Sequence, residues 1–441
     1  MAQLHSGDWF ILFSYLLIVF LVAWIKGRNE DSMDDFIIGG RGIPGWAVLA
    51  SIIATEISAV TFLNVPGVAF TGDLTYLQFG IGSLGGRFVV AYLFLTAFYK
   101  HRYFTVYSYL GDRFGPKTRY AATFLFLVSR LLGSGIRLSL AAFGISIVFG
   151  LPFTPVLLAF TSLACLYTFW GGIKAIVWTD LIQASVFIGS GLALASWFGY
   201  EIGWSDIWNT AAETGKNNLI NFLPHEGLSL HALFTQADLF FLAFINGFIV
   251  IIAALGTDQD LTQRMLTCRS LKPAQQSVIW SGLIGIPVAA LFLFLGLAMF
   301  RYAQLHSDWI LPLDTLGNID ANRIFPDFIA NIAPPFLKGF LITGTFAAAM
   351  SSIDSAMGAL SSSATVDLFK PIFKPKESEA YYLKVSRIFV LIFAAILFGL
   401  ALLFKDAGTY LWLALQIASI PAGTMLGLFL LGLLTQRGND G

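Results

Sequence analysis

The sequence predicts an all-α polytopic membrane protein, and three observations carry that expectation. Of 441 residues, 57% are hydrophobic and only 12% are charged, about half the charged fraction of a soluble domain. The mean hydropathy is +0.75. Apolar runs recur along the whole chain, each near the roughly 20 residues that an α-helix needs to cross a bilayer.

Eleven such runs fall near residues 9–25, 44–71, 74–99, 120–149, 153–170, 174–199, 237–256, 276–300, 336–365, 383–404 and 409–435. The first has no basic segment before it and a charged stretch, 26–35, after it, so it reads as a retained span and not a cleaved leader. Setting the N-terminus outside places 18 Lys+Arg in the inner loops (from Lys26 to Arg437) and five in the outer loops (Lys216, Arg301, Arg323, Lys338, Lys405). The bias of positive charge toward the cytoplasm fixes that orientation. Arg87, Arg130 and Arg137 lie within spans. The expected location is the cell inner (plasma) membrane, with the lipid bilayer as the surrounding partner.

Composition also excludes functions. A net charge of +0 argues against nucleic acid as a partner. Two distant cysteines, Cys165 and Cys268, cannot form a disulfide framework. The five histidines fall in loops or at segment ends, with no HExxH. No nucleophile–base pair or metal cluster lies at membrane depth, so the chain is not expected to be an enzyme.

Two spans carry helix breakers at comparable positions: Asn64-Val65-Pro66-Gly67 in the second, and Asn246-Gly247 with Gly256 in the seventh. Discontinuous helices at matching places in two halves point to a transporter with inverted repeats, although Gly and Pro are also common in ordinary membrane helices. The implied organisation is an N-terminal extra helix and cytoplasmic loop (1–43), a first five-helix repeat (44–200), an extracytoplasmic loop (201–236), a second, inverted repeat (237–435) and a tail (436–441).

Four stretches at the inner helix ends then carry a resemblance. They are Tyr167-Thr-Phe-Trp-Gly-Gly-Ile-Lys-Ala-Ile-Val-Trp-Thr-Asp180-Leu-Ile-Gln183, Thr105-Val-Tyr-Ser-Tyr-Leu-Gly-Asp-Arg-Phe-Gly115, Asp258-Gln-Asp-Leu-Thr-Gln-Arg264, and Ala347-Ala-Ala-Met-Ser-Ser-Ile-Asp-Ser355 followed by Ala364-Thr-Val-Asp367. In order and spacing they resemble the sodium:solute symporter family, in a bacterial-type member. The resemblance implies a LeuT-type 5+5 core preceded by one helix, coupling sodium entry to import of a sugar, amino acid, carboxylate or similar small solute by alternating access. Members usually have thirteen or more helices, so a chain ending after the eleventh is expected to be a short member or a fragment. The alternative is a transporter-like membrane sensor domain of a signalling protein.

Sodium is a hard cation that oxygen ligands suffice to hold. Ala348, Ser351 and Ser352 share one helical face, which offers two hydroxyls and a carbonyl; small residues so spaced are also what helix packing uses. The resemblance carries these three onto the family's main sodium site and adds the carbonyls of Ala54 and Ile57. It also suggests a second sodium at Asp180 with Asp354 and Ser355, where Asp354 replaces the hydroxyl of established two-ion members. Substrate is expected beside the helix breaks, with Glu56, Ser58, Thr61, Gln78, Arg137, Asn246 and Gln416 as candidates. A sialic-acid-transporting branch uses an Arg on the fourth span for the substrate carboxylate; that position falls on Gly133 here, one turn before Arg137. Arg137 either meets an anionic solute or neutralises Glu56 or Asp354.

Overall fold

The computed structural model describes residues 4–28, 32–223, 236, 238–314, 316–405, 410–436 and 438–440, and these form helices and no strand. Eight helices are long and apolar enough to cross a membrane, and one bent pair makes a ninth span. The 49-residue helix Phe153–Glu201 is two spans. At 1.5 Å per residue it is about twice the thickness of a bilayer, and Gly172 turns the chain with φ 48° and ψ −158°. With Tyr410–Leu434 as the last, the described residues supply the eleven spans expected.

We label the helices α1 (Ser6–Gly27), α2 (Gly45–Glu56), α3 (Ala59–Thr71), α4 (Leu77–His101), α5 (Val106–Phe114), α6 (Pro116–Phe149), α7 (153–171), α8 (173–201), α9 (Phe240–Thr257), α10 (Gln259–Leu266), α11 (Leu271–Leu305), α12 (Ala321–Asn331), α13 (Leu337–Ser363), α14 (Glu379–Leu403) and α15 (Tyr410–Leu434). α13 is the axis of the bundle. Its residues from Ala347 to Ser363 are all buried, and it packs against α1, α2, α3, α6, α14 and the paired α7–α8. Asp8 pins the N-terminal ends of α1 and α13 together: its carboxylate accepts from the Phe336 and Gly339 amides at 2.8 and 2.9 Å. Amides at a helix N-terminus lack intrahelical acceptors, so a carboxylate there is favourable.

The expected breakers do not interrupt their helices. In the second span the chain leaves the helix at Ile57 (φ −84°, ψ 77°) and Ser58 (φ −76°, ψ 175°), and α2 and α3 diverge by 56°. Pro66 and Gly67 sit inside α3. Their role is close packing: a Cβ on Gly67 would meet the Ala321 carbonyl at 2.0 Å, and one on Gly296 would meet the Pro66 carbonyl at 2.1 Å. Likewise Asn246-Gly247 and Gly256 lie in continuous helix: α9 runs unbroken from Phe240 to Thr257 and ends at Asp258, in extended conformation before α10, so the break expected in the seventh span is not found there. Gly247 instead lets α9 close on α4; an added Cβ would lie 2.2 Å from the Phe79 carbonyl.

Candidate functional site

The α2–α3 break releases polar backbone at membrane depth, which is tolerated only where protein or a cavity satisfies it. The Ile57 amide still reaches the Ile53 carbonyl at 2.9 Å. Beyond it, the Ala54 and Ile57 carbonyls accept no hydrogen bond among the described residues. Ala54, Ile57 and Ala348 belong to one buried cluster. One turn along α13, the Ser351 and Ser352 hydroxyls are also buried. Ser352 Oγ turns back to the Ala348 carbonyl at 3.2 Å, while Ser351 Oγ donates to Asp180 Oδ1 at 2.5 Å.

Asp180, on α8, is the centre of a buried network. Its Oδ2 accepts from Ser51 Oγ on α2 at 2.5 Å and from Arg264 Nη2 on α10 at 3.3 Å. Arg264 also donates to Ser51 Oγ at 2.8 Å and to Asp260 Oδ1 at 2.6 Å. Arg130 on α6 closes the far side, paired with Asp260 and, at 3.4 Å, with Asp258. Asp354 accepts from Tyr167 Oη and from the Ser355 amide, each at 2.5 Å, and Ser355 Oγ reaches Asp260 Oδ2 at 3.3 Å. Arg130 and Arg264 pair with Asp180, Asp258 and Asp260, while Asp354 is held by the Tyr167 hydroxyl and the Ser355 amide. Buried charge needs compensation, and oxygen donors around an anionic centre suit a hard monovalent cation. The three residues expected for a second sodium are near one another but point apart, toward Ser351, Tyr167 and Asp260.

The substrate candidates divide. Glu56 pairs with Arg87 at 2.7 Å, leaving Oε1 without a hydrogen-bond partner. The expectation that Arg137 neutralises Glu56 or Asp354 is therefore corrected. Glu56 is taken by Arg87, Asp354 by Tyr167 and Ser355, and half-buried Arg137 has no ion pair among the described residues. The chain turn on α6 between Arg130 and Arg137 holds Gly133, with open space where a Cβ would stand. Ser58 is buried and Thr61 half-buried at the start of α3. Gln78 is committed elsewhere: its amide donates to the Asp238 and Thr75 carbonyls and accepts from the Asn221 amide, which ties α4 to the chain around Asn221 and Asp238. Asn246 is exposed on α9, and the Gln416 side chain lies outside the described residues.

Sequence reasoning did not single out Ser51, Arg264, Asp260, Arg130 and Tyr167 as site residues. One signal was present: Asp260 and Arg264 are four apart on a helix, the spacing of an ion pair.

The family described as "Sodium:solute symporter family" matches residues 36–441. The sodium/sialic acid symporter SiaT of Proteus mirabilis is 28% identical over all of this chain and 87% of its own. The human sodium-coupled monocarboxylate transporter 1 is 26% identical over 98% of this chain and 70% of its own. The solved structure of a Na+-coupled sialic acid symporter in a substrate-bound outward-open state superposes with a TM-score of 0.86 at 25% identity, covering 99% of this chain and 89% of that one. Mhp1, of the nucleobase-cation-symport-1 family, shares the fold with a TM-score of 0.58 at 13% identity, over 90% of this chain and 80% of its own. These relatives are transporters, which supports a non-enzyme, and the sensor alternative gains no support from them.

Proposed function

The chain belongs to the sodium:solute symporter family, and from that premise we propose how its own residues couple sodium to an anionic solute. The sodium ion is held by the Ala54 and Ile57 carbonyls of α2 and by the Ala348 carbonyl, Ser351 Oγ and Ser352 Oγ of α13. The observation that carries this is the pair of carbonyls, Ala54 and Ile57, that lack a hydrogen-bond donor among the described residues at the α2–α3 break, in the same buried cluster as Ala348 of α13. A second cation at Asp180, Asp354 and Ser355 would require these side chains to turn from Ser351, Tyr167 and Asp260 toward one point.

The solute sits beside the break, near Ser58 and Thr61, and its anionic group meets Arg137. Support comes from Arg137 having no ion pair among the described residues, from the open space at Gly133, and from relatives named for sialic acid and monocarboxylates. An Arg binds a carboxylate through two parallel bonds, a geometry that a neutral solute cannot match.

The Lys/Arg bias supports an N-terminus outside, in the cell inner membrane. In this orientation the Arg130–Asp260–Arg264–Asp180 network lies toward the cytoplasm and joins α6, α10, α8 and, through Ser51, α2. Sodium bridging α2 and α13 favours the state open to the outside and completes the solute site; inward opening then separates α2 from α13 and releases both. One charge crossing 100 mV yields about 2.3 kcal/mol, about fortyfold accumulation per sodium.

The test is uptake into proteoliposomes of radiolabelled monocarboxylates, sialic acid, a neutral sugar and a neutral amino acid. An inward sodium gradient drives uptake of a carboxylate and a potassium gradient does not. Equal uptake under both gradients contradicts sodium coupling, and transport of only a neutral solute contradicts the role of Arg137.

A further inference from the structure

Near its basic end the bundle has a cavity of about 580 Å³ open to its outer surface, between the end of α7 and the first turns of α14. Phe169, Leu383, Ile388 and Leu391 line it, together with Lys384 and Arg387. Ile388 and Leu391 are exposed apolar residues, as on a face that meets lipid tails. Trp170, beside Phe169, is exposed as well; Trp at such a position marks the level of the lipid headgroups.

The charges of this cavity are unanswered. Lys384 and Arg387 are three apart, on one face of α14, and neither has an ion pair among the described residues. The acidic side chains nearby in sequence are spoken for: Glu379 pairs with Lys370 and Glu377 with Lys374, both at 3.4 Å. Arg387 Nε is buried without a hydrogen-bond partner. A buried donor without an acceptor requires an explanation, and the lining has no acidic side chain to supply one.

From this we infer that the α7–α14 cavity is a binding site for an anionic phospholipid of the leaflet at the basic end. The non-bridging phosphate oxygens accept from Arg387 and Lys384, and an acyl chain lies along Leu383, Ile388 and Leu391. Basic pockets between membrane helices at this depth suit anionic headgroups. A zwitterionic lipid carries the same phosphate but brings its own cation, which opposes the two basic side chains. Because α14 packs on α6, α7–α8 and α13, the lipid braces the helices that surround α13.

The test is native mass spectrometry of the delipidated, detergent-purified full chain titrated with phosphatidylglycerol or phosphatidylcholine. The expected result is a preference of about thirtyfold for phosphatidylglycerol, from two basic side chains. It disappears in Lys384→Gln/Arg387→Gln. A second variant, Leu391→Trp, fills the cavity and keeps both charges; it also loses the bound lipid, so the inference stands or falls even where the first variant does not fold. Three results overturn it: equal binding of both lipids by the wild type, unchanged preference in the folded variants, or displacement of phosphatidylglycerol by inorganic phosphate alone.

Discussion

Replacing Arg87 by Met removes the cation that holds Glu56. Arg87 is 4% exposed and Glu56 18%. The guanidinium donates to Glu56 Oε2 at 2.7 Å, to Ser281 Oγ at 2.6 Å and to the Val278 carbonyl at 3.4 Å. Ser281 keeps its own bond to the Val278 carbonyl at 2.8 Å, so its loss is small. The penalty falls on Glu56, whose Oε1 already has no partner. Breaking a buried pair from one side costs about 3–5 kcal/mol. Glu56→Gln should cost less, about 1–3 kcal/mol, because Arg87 retains two acceptors and the amide oxygen of Gln can replace one carboxylate oxygen. The double variant should then show a coupling energy of about 2–3 kcal/mol. Equilibrium unfolding of the four proteins in detergent measures it. A coupling below about 0.5 kcal/mol, within ordinary additivity, would refute the claim that this pair holds the α2 end to α4 and α11. A Glu56→Gln variant with unchanged stability and a raised KM for solute would place Glu56 in the solute site instead.

Three further outcomes follow from the site and its packing. Ser352→Ala and Ser351→Ala should each weaken sodium binding at least tenfold, read from the sodium dependence of uptake, with Ser351→Ala also destabilising because it strips a donor from Asp180; sodium dependence unchanged in both would remove them as ligands. Arg137→Gln should lower carboxylate uptake about tenfold or more, the worth of a charge-assisted bond, while leaving the unfolding midpoint near wild type, since no ion pair is lost; a large fall in stability would mean that Arg137 is structural. Gly82→Val should destabilise by about 3 kcal/mol or more, because even a Cβ there lies 2.0 Å from the Phe244 carbonyl; a well-folded variant at normal yield would contradict the close α4–α9 packing.

Much of the architecture was legible because it is written locally. Each span is a contiguous apolar run, and Ala348, Ser351 and Ser352 fall on one face by helical spacing alone. The breakers were misread for a physical reason. Pro66 and Gly67 have the chemistry of a breaker, yet neighbouring helices in a membrane bundle stabilise a helix through such residues, and here they serve close contact with Ala321 and Gly296. The actual break, Glu56-Ile57-Ser58, holds neither Gly nor Pro and gives no local sign. The Asp180 network was hidden differently: Ser51, Asp180 and Arg264 are 129 and 84 residues apart, and only the fold brings them together. The same holds for Glu56 and Arg87, where composition says that a buried charge needs a partner but not which one. Gln78 read as a polar group at membrane depth; it proved to be committed to Asp238 and Asn221.

The central claim is that sodium and solute share one folded site and raise each other's affinity. Isothermal titration of the purified protein with a transported carboxylate, in sodium and in potassium at equal ionic strength, tests it most directly. Binding should be at least tenfold tighter in sodium, and sodium should bind tighter by the same factor when solute is present, as linkage requires. Equal affinity in the two salts would contradict the account.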